Sequence, residues 1–323
     1  TLSLHDALPI SLYKCLAIGA RCAFQFYPAN PEQINMITKA ALENGFTASS
    51  TFLSEPTSFN TNNKIYTPQN YGNIYGNKEI SMAAAIAYSD NIYAIKTHLF
   101  LGEDMMIDTS YKMGIKTKLE EVPSLPLGTI ELNIIEITNA YATLANEGIK
   151  NEPYLIEKIY DTNNNLLYEH KSNEEKVLDK RLVYILNELL SLTYDYDLVD
   201  YTYPTNIGIR SLLSNKYANK SGSTETDNLS IGFNKNIVTA IWVGYDDNKK
   251  LLDSDYKYVK KIWAYTMEEY LKDKDNTWYT KPDNVVGVLV NPITGNIATI
   301  KDNKKKILYY ISGSEPLTTE FIE

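Results

Sequence analysis

The stretch Ala218-Asn219-Lys220-Ser221-Gly222-Ser223-Thr224 decides the fold, because it lies in the first of three consecutive segments that fit short β-strands. These segments run from Lys216 to Gly222, from Asn228 to Phe233 and from Ile237 to Tyr245, and short turns separate them. Predicted helices lie before and after the series, and strands and helices do not alternate along the chain. The sequence therefore predicts an α+β fold with an antiparallel sheet.

The same stretch contains the residue types that acyl transfer by a serine requires around its nucleophile. Lys220 supplies positive charge for a substrate carboxylate. Ser221, Ser223 and Thr224 add hydroxyl donors. Gly222 has no side chain, so a peptide substrate can lie against this strand. The pattern indicates one wall of a peptide-binding cleft.

A second polar triplet, Ser89-Asp90-Asn91, lies where two predicted helices meet, from Glu79 to Tyr88 and from Ile92 to Leu101. Ser89 can pass a proton between the active centre and a leaving amine, and the Asn91 amide can hold a substrate backbone through both its donor and its acceptor. Either triplet alone is as easily a turn or a helix end. A Lys-[Ser/Thr]-Gly triplet with an upstream Ser-x-Asn, however, forms two of the three parts of a known acyl-transfer signature.

The surroundings of the two triplets share their order with one protein family. In chain order these stretches are Tyr66-Thr67-Pro68-Gln69-Asn70-Tyr71, Pro123-Ser124-Leu125-Pro126-Leu127-Gly128, Glu136 to Gly148 (EITNAYATLANEG) and Trp242-Val243-Gly244-Tyr245-Asp246. Together with the triplets they resemble the transpeptidase domain of class A penicillin-binding proteins, whose patterns include Y-x-P-x-N-Y, S-x-N-x-x-A, EMAxAYAxFANxG and AGKTGTT. The resemblance covers about residues 40 to 316. It departs from the family at Ser221, where Thr is commoner, and at Leu229-Ser230, where an aromatic residue is common.

The resemblance implies a five-stranded antiparallel sheet with helices on both sides, and a cleft between the sheet edge and an all-helical lobe. It implies peptidoglycan D,D-transpeptidase activity, in which an acyl group moves from a D-Ala-D-Ala stem peptide to the amine of a neighbouring stem, with β-lactams as covalent inhibitors of an active enzyme. The backbone N–H of Ser223 is then one oxyanion donor. The implied catalytic residues are Ser89, Asn91 and Lys220, and the implied substrate-binding residues are Ser221, Gly222, Ser223 and Thr224.

The third part of the signature, a Ser-x-x-Lys nucleophile motif, is missing from its expected place. The family places this motif before the helix that here reads Ala40 to Gly45, and an ungapped count puts the Ser slot on Pro31 and the Lys slot on Ile34. Ser11-Leu12-Tyr13-Lys14 matches the pattern formally, but it lies too far upstream and lacks the flanking Pro, Gly and Phe. The nucleophile is therefore unknown, with Ser11 beside Lys14 as the remaining candidate.

The beginning of the chain differs in composition from everything after it. The first 29 residues contain both cysteines but no Asn and no Glu, whereas the rest is rich in Asn, Tyr, Ile, Lys and Glu. The opening, Thr1 to Ile10, resembles translated read-through of a sequencing adapter. We therefore expect residues 1–35 to be a non-native or frameshifted segment, residues 36–282 to be the transpeptidase domain and residues 283–323 to be a C-terminal β-hairpin extension.

The composition of the chain limits the kinds of partner and cofactor that we expect. A chain of 323 residues that is 44% hydrophobic can bury a full core. A net charge of −9 argues against a nucleic-acid partner. No His/Cys cluster has metal-ligand spacing, so we expect neither a metal nor a cofactor.

The run from Cys15 to Phe24 is too short to span a bilayer and contains Arg21. The resemblance implies a place on the extracytoplasmic face of the bacterial membrane. It also implies an N-terminal membrane anchor and a glycosyltransferase domain, both outside this chain, which we expect to be a C-terminal fragment.

Outside the two triplets, turn residues and apolar periodicity predict three further elements. Pro153 to Tyr168 fits a hairpin, and Asp179 to Leu192 fits an amphipathic helix with Asp179 as its N-cap. A final hairpin is predicted from Asn284 to Asn291 paired with Asn296 to Ile300.

Three functions remain open from the sequence. The first is a D,D-transpeptidase domain, as a fragment that lacks its nucleophile motif. The second is a non-catalytic binding module with a transpeptidase fold, because no nucleophile can be placed. The third is hydrolysis by a D,D-carboxypeptidase or a β-lactamase, because water and amine acceptors use the same groups.

Overall fold

The computed structural model of the chain describes residues 28–29, 34–61 and 64–317. The helices within these residues are α1 (Ile34–Glu43), α2 (Met82–Tyr88), α3 (Asn91–Leu101), α4 (Glu103–Lys112), α5 (Ile134–Ala145), α6 (Lys180–Leu190) and α7 (Tyr258–Leu271). The strands are β1 (Pro28–Ala29), β2 (Thr51–Ser54), β3 (Phe59–Thr61), β4 (Lys64–Tyr66), β5 (Lys78–Ser81), β6 (Leu132–Asn133), β7 (Ile149–Lys150), β8 (Lys158–Tyr160), β9 (Leu166–Glu169), β10 (Glu175–Lys176), β11 (Ala218–Ser223), β12 (Asp227–Phe233), β13 (Val238–Gly244), β14 (Val285–Val290) and β15 (Lys306–Ile311).

The central sheet consists of β11, β12 and β13 in sequence order, and each neighbouring pair is antiparallel. This confirms the three strands predicted around the Lys220 stretch. Successive side chains of a strand point to opposite faces of its sheet. The Phe233 ring packs edge-on against Tyr141 of α5, with ring centroids 6.2 Å apart. A Cβ on the preceding residue, Gly232, would meet Trp263 of α7. Helices therefore cover both faces of the sheet.

The α+β class and the antiparallel pairing are confirmed, but the pairing is divided among several small sheets. The largest sheet of the described residues has three strands, where the resemblance implies five. The long strands β14 and β15 pair with each other from Val285↔Ile311 to Val290↔Lys306. Their hairpin packs against α6 instead of extending the central sheet.

Helices α1 to α4 form the helical part of the molecule and contain the junction predicted around Ser89. The Ala-rich helix α2 is buried at all of its seven residues. Its predicted start at Glu79 is wrong, because Lys78–Ser81 pairs as β5 with β2. The helix begins at Met82, directly after β5, where the Ser81 hydroxyl accepts a hydrogen bond from the N–H of Ala84.

The C-terminal hairpin differs from its predicted form. The strand predicted from Asn296 to Ile300 is reduced to a single antiparallel bridge, Val290↔Ile297, and β15 is the strand that pairs along the length of β14. Side-chain hydrogen bonds hold the intervening segment as a loop. The carboxylate of Asp302 accepts from the backbone N–H of Thr299 at 2.7 Å, and Asn291 Oδ1 accepts from the N–H of Ile293 at 2.9 Å. Asx turns of this kind compete with strand pairing.

Two other predicted elements are confirmed. Strands β8 and β9 form the hairpin predicted within residues 153–168, and all of their residues are exposed. Asp179 caps α6, because its Oδ1 accepts from the N–H of Arg181 at 2.8 Å. Within the described part of the chain, every helix is too short or too polar to cross a bilayer.

Candidate active site

The two polar triplets meet between the edge strand β11 and the junction of α2 with α3. The Nζ atom of Lys220 donates a hydrogen bond to the Oγ atom of Ser89 at 2.8 Å, across 131 positions of sequence. Lys220 is 1% exposed, whereas Ser89 is only half-buried. The ammonium therefore lies beneath a hydroxyl that solvent can reach.

Ser89 has an unusual backbone conformation that follows from its position between two helices. It is the C-cap of α2, with φ 57° and ψ 51°. This left-handed region costs a non-glycine residue roughly 1–2 kcal/mol. The single residue ends α2 and lets Asp90 cap α3 immediately afterwards. The turn thus directs Ser89 towards Lys220 at the expense of local strain.

Strand β11 is at an edge of the central sheet, and three contacts show which of its backbone N–H and C=O groups point towards β12. The N–H of Thr224 donates to the Asp227 carbonyl on the β12 side. The carbonyls of Asn219 and Ser221 accept instead from side chains, those of Thr193 and Lys220, and not from β12. Backbone groups alternate along a strand, so those of Ser221 and Ser223 face the open edge. The N–H of Ser223 thus faces the open edge, and its role as an oxyanion donor stays a prediction.

The side chains of the Lys220 stretch alternate between the two faces of β11. Ser221 and Ser223 share one face, and Ser221 is buried whereas Ser223 is exposed. Lys220 and Gly222 share the other face, and both are buried. Of the predicted hydroxyl donors, Ser223 is therefore the most accessible to a ligand.

Thr224 stabilises the turn that follows β11. Its Oγ1 atom donates to the Asp227 carboxylate at 3.1 Å and accepts from the N–H groups of Thr226 and Asp227. The Thr224 carbonyl accepts from the hydroxyl of Tyr256 at 2.5 Å. The Trp242 indole N–H reaches the other Asp227 oxygen at 2.9 Å. The substrate contact of Thr224 stays a prediction, since its hydroxyl already has a structural role.

Asn91 is held from a loop that precedes both triplets in sequence. Its Nδ2 atom donates to the carbonyl of Gln69 at 2.7 Å, and its backbone N–H donates to Asn70 Oδ1 at 2.9 Å. The structure thus brings Ser89, Asn91 and Lys220 into one region. Asn70 belongs to the Y-x-P-x-N-Y stretch, which is the only signal in the sequence that points to it.

A buried polar network beneath β11 includes Asn206 and Thr193, which belong to none of the sequence motifs. Asn206 Nδ2 donates to Asn219 Oδ1 at 2.6 Å and to Thr193 Oγ1 at 3.1 Å. Asn219 Nδ2 donates in turn to Ser230 Oγ at 3.3 Å on the neighbouring strand. Because buried amides keep these partners, the network fixes the part of β11 that immediately precedes Lys220.

The candidate nucleophiles are not placed by the structure. Ser11, Lys14 and Pro31 lie outside the described residues, and Ile34 is the first residue of α1. Helix α1 contains no serine. Its Lys39 is fully buried, with Nζ 2.6 Å from Glu43 Oε1, and burial lowers the pKa of the Lys39 ammonium. The other charges acting on Lys39 are Asp179 and Lys112, which lie on different elements from the cleft residues.

Comparisons with known proteins identify the family of this chain. The family model of the penicillin binding protein transpeptidase domain matches residues 35–252. Penicillin-binding protein 2D of Bacillus subtilis is 39% identical over 279 residues, which cover 85% of this chain and 40% of that protein. Penicillin-binding protein 1A of Aquifex aeolicus is 28% identical and is covered over 38% of its length. The chain thus spans well under half the length of these relatives.

Solved structures show the same fold. Penicillin-binding protein 1A from Haemophilus influenzae superposes with a TM-score of 0.83 at 24% identity, covering 93% of this chain and 50% of that chain. The PonA1 protein from Mycobacterium tuberculosis, solved in complex with penicillin V, superposes with a TM-score of 0.67 at 20% identity, covering 81% of this chain and 74% of that chain. The family match covers more than half of the sequence and includes both polar triplets. This chain therefore belongs to the penicillin-binding protein transpeptidase family.

Proposed function

We propose that this chain forms the substrate cleft of a peptidoglycan D,D-transpeptidase that cross-links stem peptides. The observation that carries the proposal is the hydrogen bond from Lys220 to Ser89, because it joins a buried cation to an accessible hydroxyl at an open strand edge. A cation at this position suits the terminal carboxylate of a D-Ala-D-Ala stem peptide. The hydroxyl suits proton transfer to the leaving amine.

The open edge of β11 supports a specific binding mode. An extended peptide can add to an exposed strand edge through main-chain hydrogen bonds. Ser221 and Ser223 offer backbone groups there, and Gly222 places no side chain between them. In this mode the peptide carboxylate meets Lys220, Ser221 and Ser223, and the Ser223 N–H serves the oxyanion.

A second candidate is a non-catalytic binding module with the same cleft. It is favoured by Pro31 and Ile34, which occupy the slots of the missing nucleophile motif. This candidate keeps peptide binding and loses covalent chemistry. Hydrolysis, as by a carboxypeptidase or a β-lactamase, uses the same groups as transfer and is distinguished by the product.

A fluorescent penicillin separates these candidates in the full chain. A transpeptidase forms an acyl-enzyme, so we expect labelling that survives denaturation, and loss of labelling in Ser11→Ala identifies that serine. Binding of a D-Ala-D-Ala peptide by calorimetry without covalent labelling supports the binding module. Absence of both labelling and peptide binding in the folded chain contradicts the proposal.

We also infer where such a cleft works. Stem peptides of peptidoglycan lie outside the cytoplasmic membrane, so we place the chain on the extracytoplasmic face. Residues 36–282 are proposed as the penicillin-binding domain, residues 283–323 as its hairpin extension and residues 1–35 as a non-native segment.

A further inference from the structure

The middle residue of the Ser89-Asp90-Asn91 triplet is a buried carboxylate with a full set of donors. Asp90 is 3% exposed. Its Oδ1 accepts from the N–H of Tyr93 at 2.8 Å, and its Oδ2 accepts from Ser54 Oγ at 2.5 Å. The N-terminus of α3 adds a favourable dipole for this anion. Asp90 is thus a fixed point directly between the two residues that face the cleft.

Asn70 connects this fixed point to Asn91. Its Nδ2 atom donates to Asp90 Oδ2 at 2.8 Å and to the Ile74 carbonyl at 3.1 Å. Its Oδ1 atom accepts from the N–H of Asn91 at 2.9 Å and from that of Ile92 at 3.4 Å. The buried amide of Asn70 therefore forms hydrogen bonds at both ends. Its nitrogen donates to the Asp90 carboxylate, and its oxygen accepts from the first turn of α3.

The loop that contains Asn70 is also held at its C-terminal end, by hydrogen bonds to Ser54. The N–H of Asn77 donates to the Ser54 carbonyl at 2.7 Å, and the N–H of Gly76 approaches Ser54 Oγ at 3.3 Å. Asn73 and Asn77 have φ values of 56° and 48°. A loop with two strained residues of this kind keeps its shape only where contacts hold it. Asn70 provides those contacts on the cleft side.

We propose that Asn70 is a positioning residue of the cleft, which orients the Asn91 side chain without touching substrate. Asn70 fixes the backbone of Asn91, and the adjacent Gln69 carbonyl takes Asn91 Nδ2. Asn91 Oδ1 is then the end of the amide that a peptide N–H meets. The role in binding rests on the proposed function, whereas the role in ordering Asn91 does not.

Asn70→Ala tests the proposal against Asn187→Ala as a matched control. Asn187 is equally a buried asparagine, but it bonds the Leu144 carbonyl away from the cleft. Two measurements are needed on each variant: hydrogen exchange of the Asn91 N–H by NMR, and the dissociation constant of a D-Ala-D-Ala peptide. We expect Asn70→Ala to speed exchange and weaken binding by about tenfold each. Asn187→Ala should leave both within about twofold of the wild-type values.

Asn70→Asp supplies a pH signature that general destabilisation does not produce. The new carboxylate still accepts from the Asn91 N–H, but it lies beside Asp90 and repels it when both are ionised. Protonation of the new carboxyl at lower pH removes this repulsion, so the protection factor of the Asn91 N–H, which divides out the pH dependence of intrinsic exchange, should be higher at about pH 5 than at pH 7.5. The nearby Tyr93 and Tyr201 hydroxyls do not titrate in this range, because burial raises their pKa.

Each outcome decides the matter. Unchanged exchange and unchanged binding in folded Asn70→Ala overturn the proposal, as does an equal loss of affinity in Asn187→Ala at equal stability. Should Asn70→Ala fail to fold, an Asn70→Asp variant without recovery at low pH overturns it instead. A wild-type chain that binds no peptide contradicts the proposed function, and exchange at Asn91 still tests the positioning.

Discussion

A lysine with 1% exposure is uncommon, because an ammonium loses several kcal/mol of hydration unless hydrogen bonds replace the solvent. Lys220 donates to the Ser89 hydroxyl and to the Ser221 carbonyl, so the groups that replace water are themselves parts of the cleft. The charge cannot move far from the open edge of β11. At the residue scale, the site is organised around this fixed cation.

Lys220→Met removes the charge and keeps most of the side-chain volume. We expect a D-Ala-D-Ala peptide with a free terminal carboxylate to bind about 10- to 100-fold more weakly, because a charge-assisted hydrogen bond contributes roughly 1.5–3 kcal/mol. The amide form of the same peptide should lose little. Calorimetry with both peptides measures this, and an equal loss for both would count against a carboxylate role.

Lys216→Met is the matched control for this substitution. Lys216 lies just before β11, but it is exposed and pairs with Glu188 at 2.5 Å. Removal of an exposed pair changes little. Its affinity for either peptide should stay within about twofold of the wild-type value.

The residues for which we propose chemical roles are more predictable than the residues that hold them in place. Lys220, Ser89 and Asn91 belong to short motifs, and the structure brings all three together. Asn206 belongs to no motif, because it fixes β11 through a hydrogen bond to Asn219, 13 positions further along the chain. A local pattern does not specify such a contact. The nucleophile could not be predicted for another reason, because the expected serine slot is occupied by Pro31.

At the scale of elements, the packing of α7 on the central sheet depends on one glycine. A Cβ on Gly232 of β12 would lie 2.5 Å from the Trp263 ring of α7, 2.6 Å from Asn219 Nδ2 and 2.7 Å from the Ala218 carbonyl. Trp263 is fully buried and bonds the Thr239 carbonyl, so it cannot move aside freely. The helix therefore approaches the strand as closely as it does because Gly232 has no side chain.

Gly232→Ala should destabilise the fold by about 1–3 kcal/mol, the usual cost of overpacking a close contact. Urea unfolding measures the change. Gly208→Ala is the matched control, because its Cβ meets nothing within 4 Å and its backbone does not require glycine. The control should be neutral or slightly stabilising. Equal stability of the two variants would show that the sheet and α7 can separate at little cost.

The elements themselves are predictable where local chemistry is strong. The cap of α6 at Asp179 and the three central strands follow from turn and capping residues. The start of α2 and the partner of β14 do not, because both depend on long-range pairing. The Ala-rich sequence that follows Lys78 fits a helix from Glu79 as well as a strand followed by a helix. Only the pairing of residues 78–81 with β2 decides between the two.

At the scale of the whole molecule, two hairpins differ in how they join the core. Every residue of β8 and β9 is exposed, including Ile159 and Leu167. In the β14–β15 hairpin, by contrast, Val290 and Tyr310 are almost fully buried and belong to the main core. One hairpin is an appendage, and the other is part of the cooperative unit.

Deletion of Lys158–Glu169 tests this difference. The N–H of His170 donates to the Glu157 carbonyl at 2.7 Å, so a Gly-Gly link can join these two residues without moving the chain. We expect the free energy of unfolding to change by no more than about 1 kcal/mol, because no residue of β8 or β9 is buried. Chemical denaturation monitors the transition.

Truncation after Asn284 is the opposite case. It removes five buried apolar side chains at roughly 1.5–3 kcal/mol each, a sum comparable with the whole stability of a domain. These residues are Val285, Val290, Ile293, Leu308 and Tyr310. The truncated chain should lose cooperative unfolding, and a retained sharp transition would contradict the assignment of this hairpin to the core.

The indole contact at the turn after β11 gives the molecule a built-in optical reporter. The chain has three tryptophans, and each senses a different place: Trp263 lies in the core, Trp278 bonds Glu188, and Trp242 bonds Asp227 beside Thr224. We expect a ligand at the Ser223 end of the cleft to change the polarity around Trp242 more than around the buried Trp263. The emission of Trp242 should then follow occupancy of the cleft, while the emission of Trp263 follows unfolding.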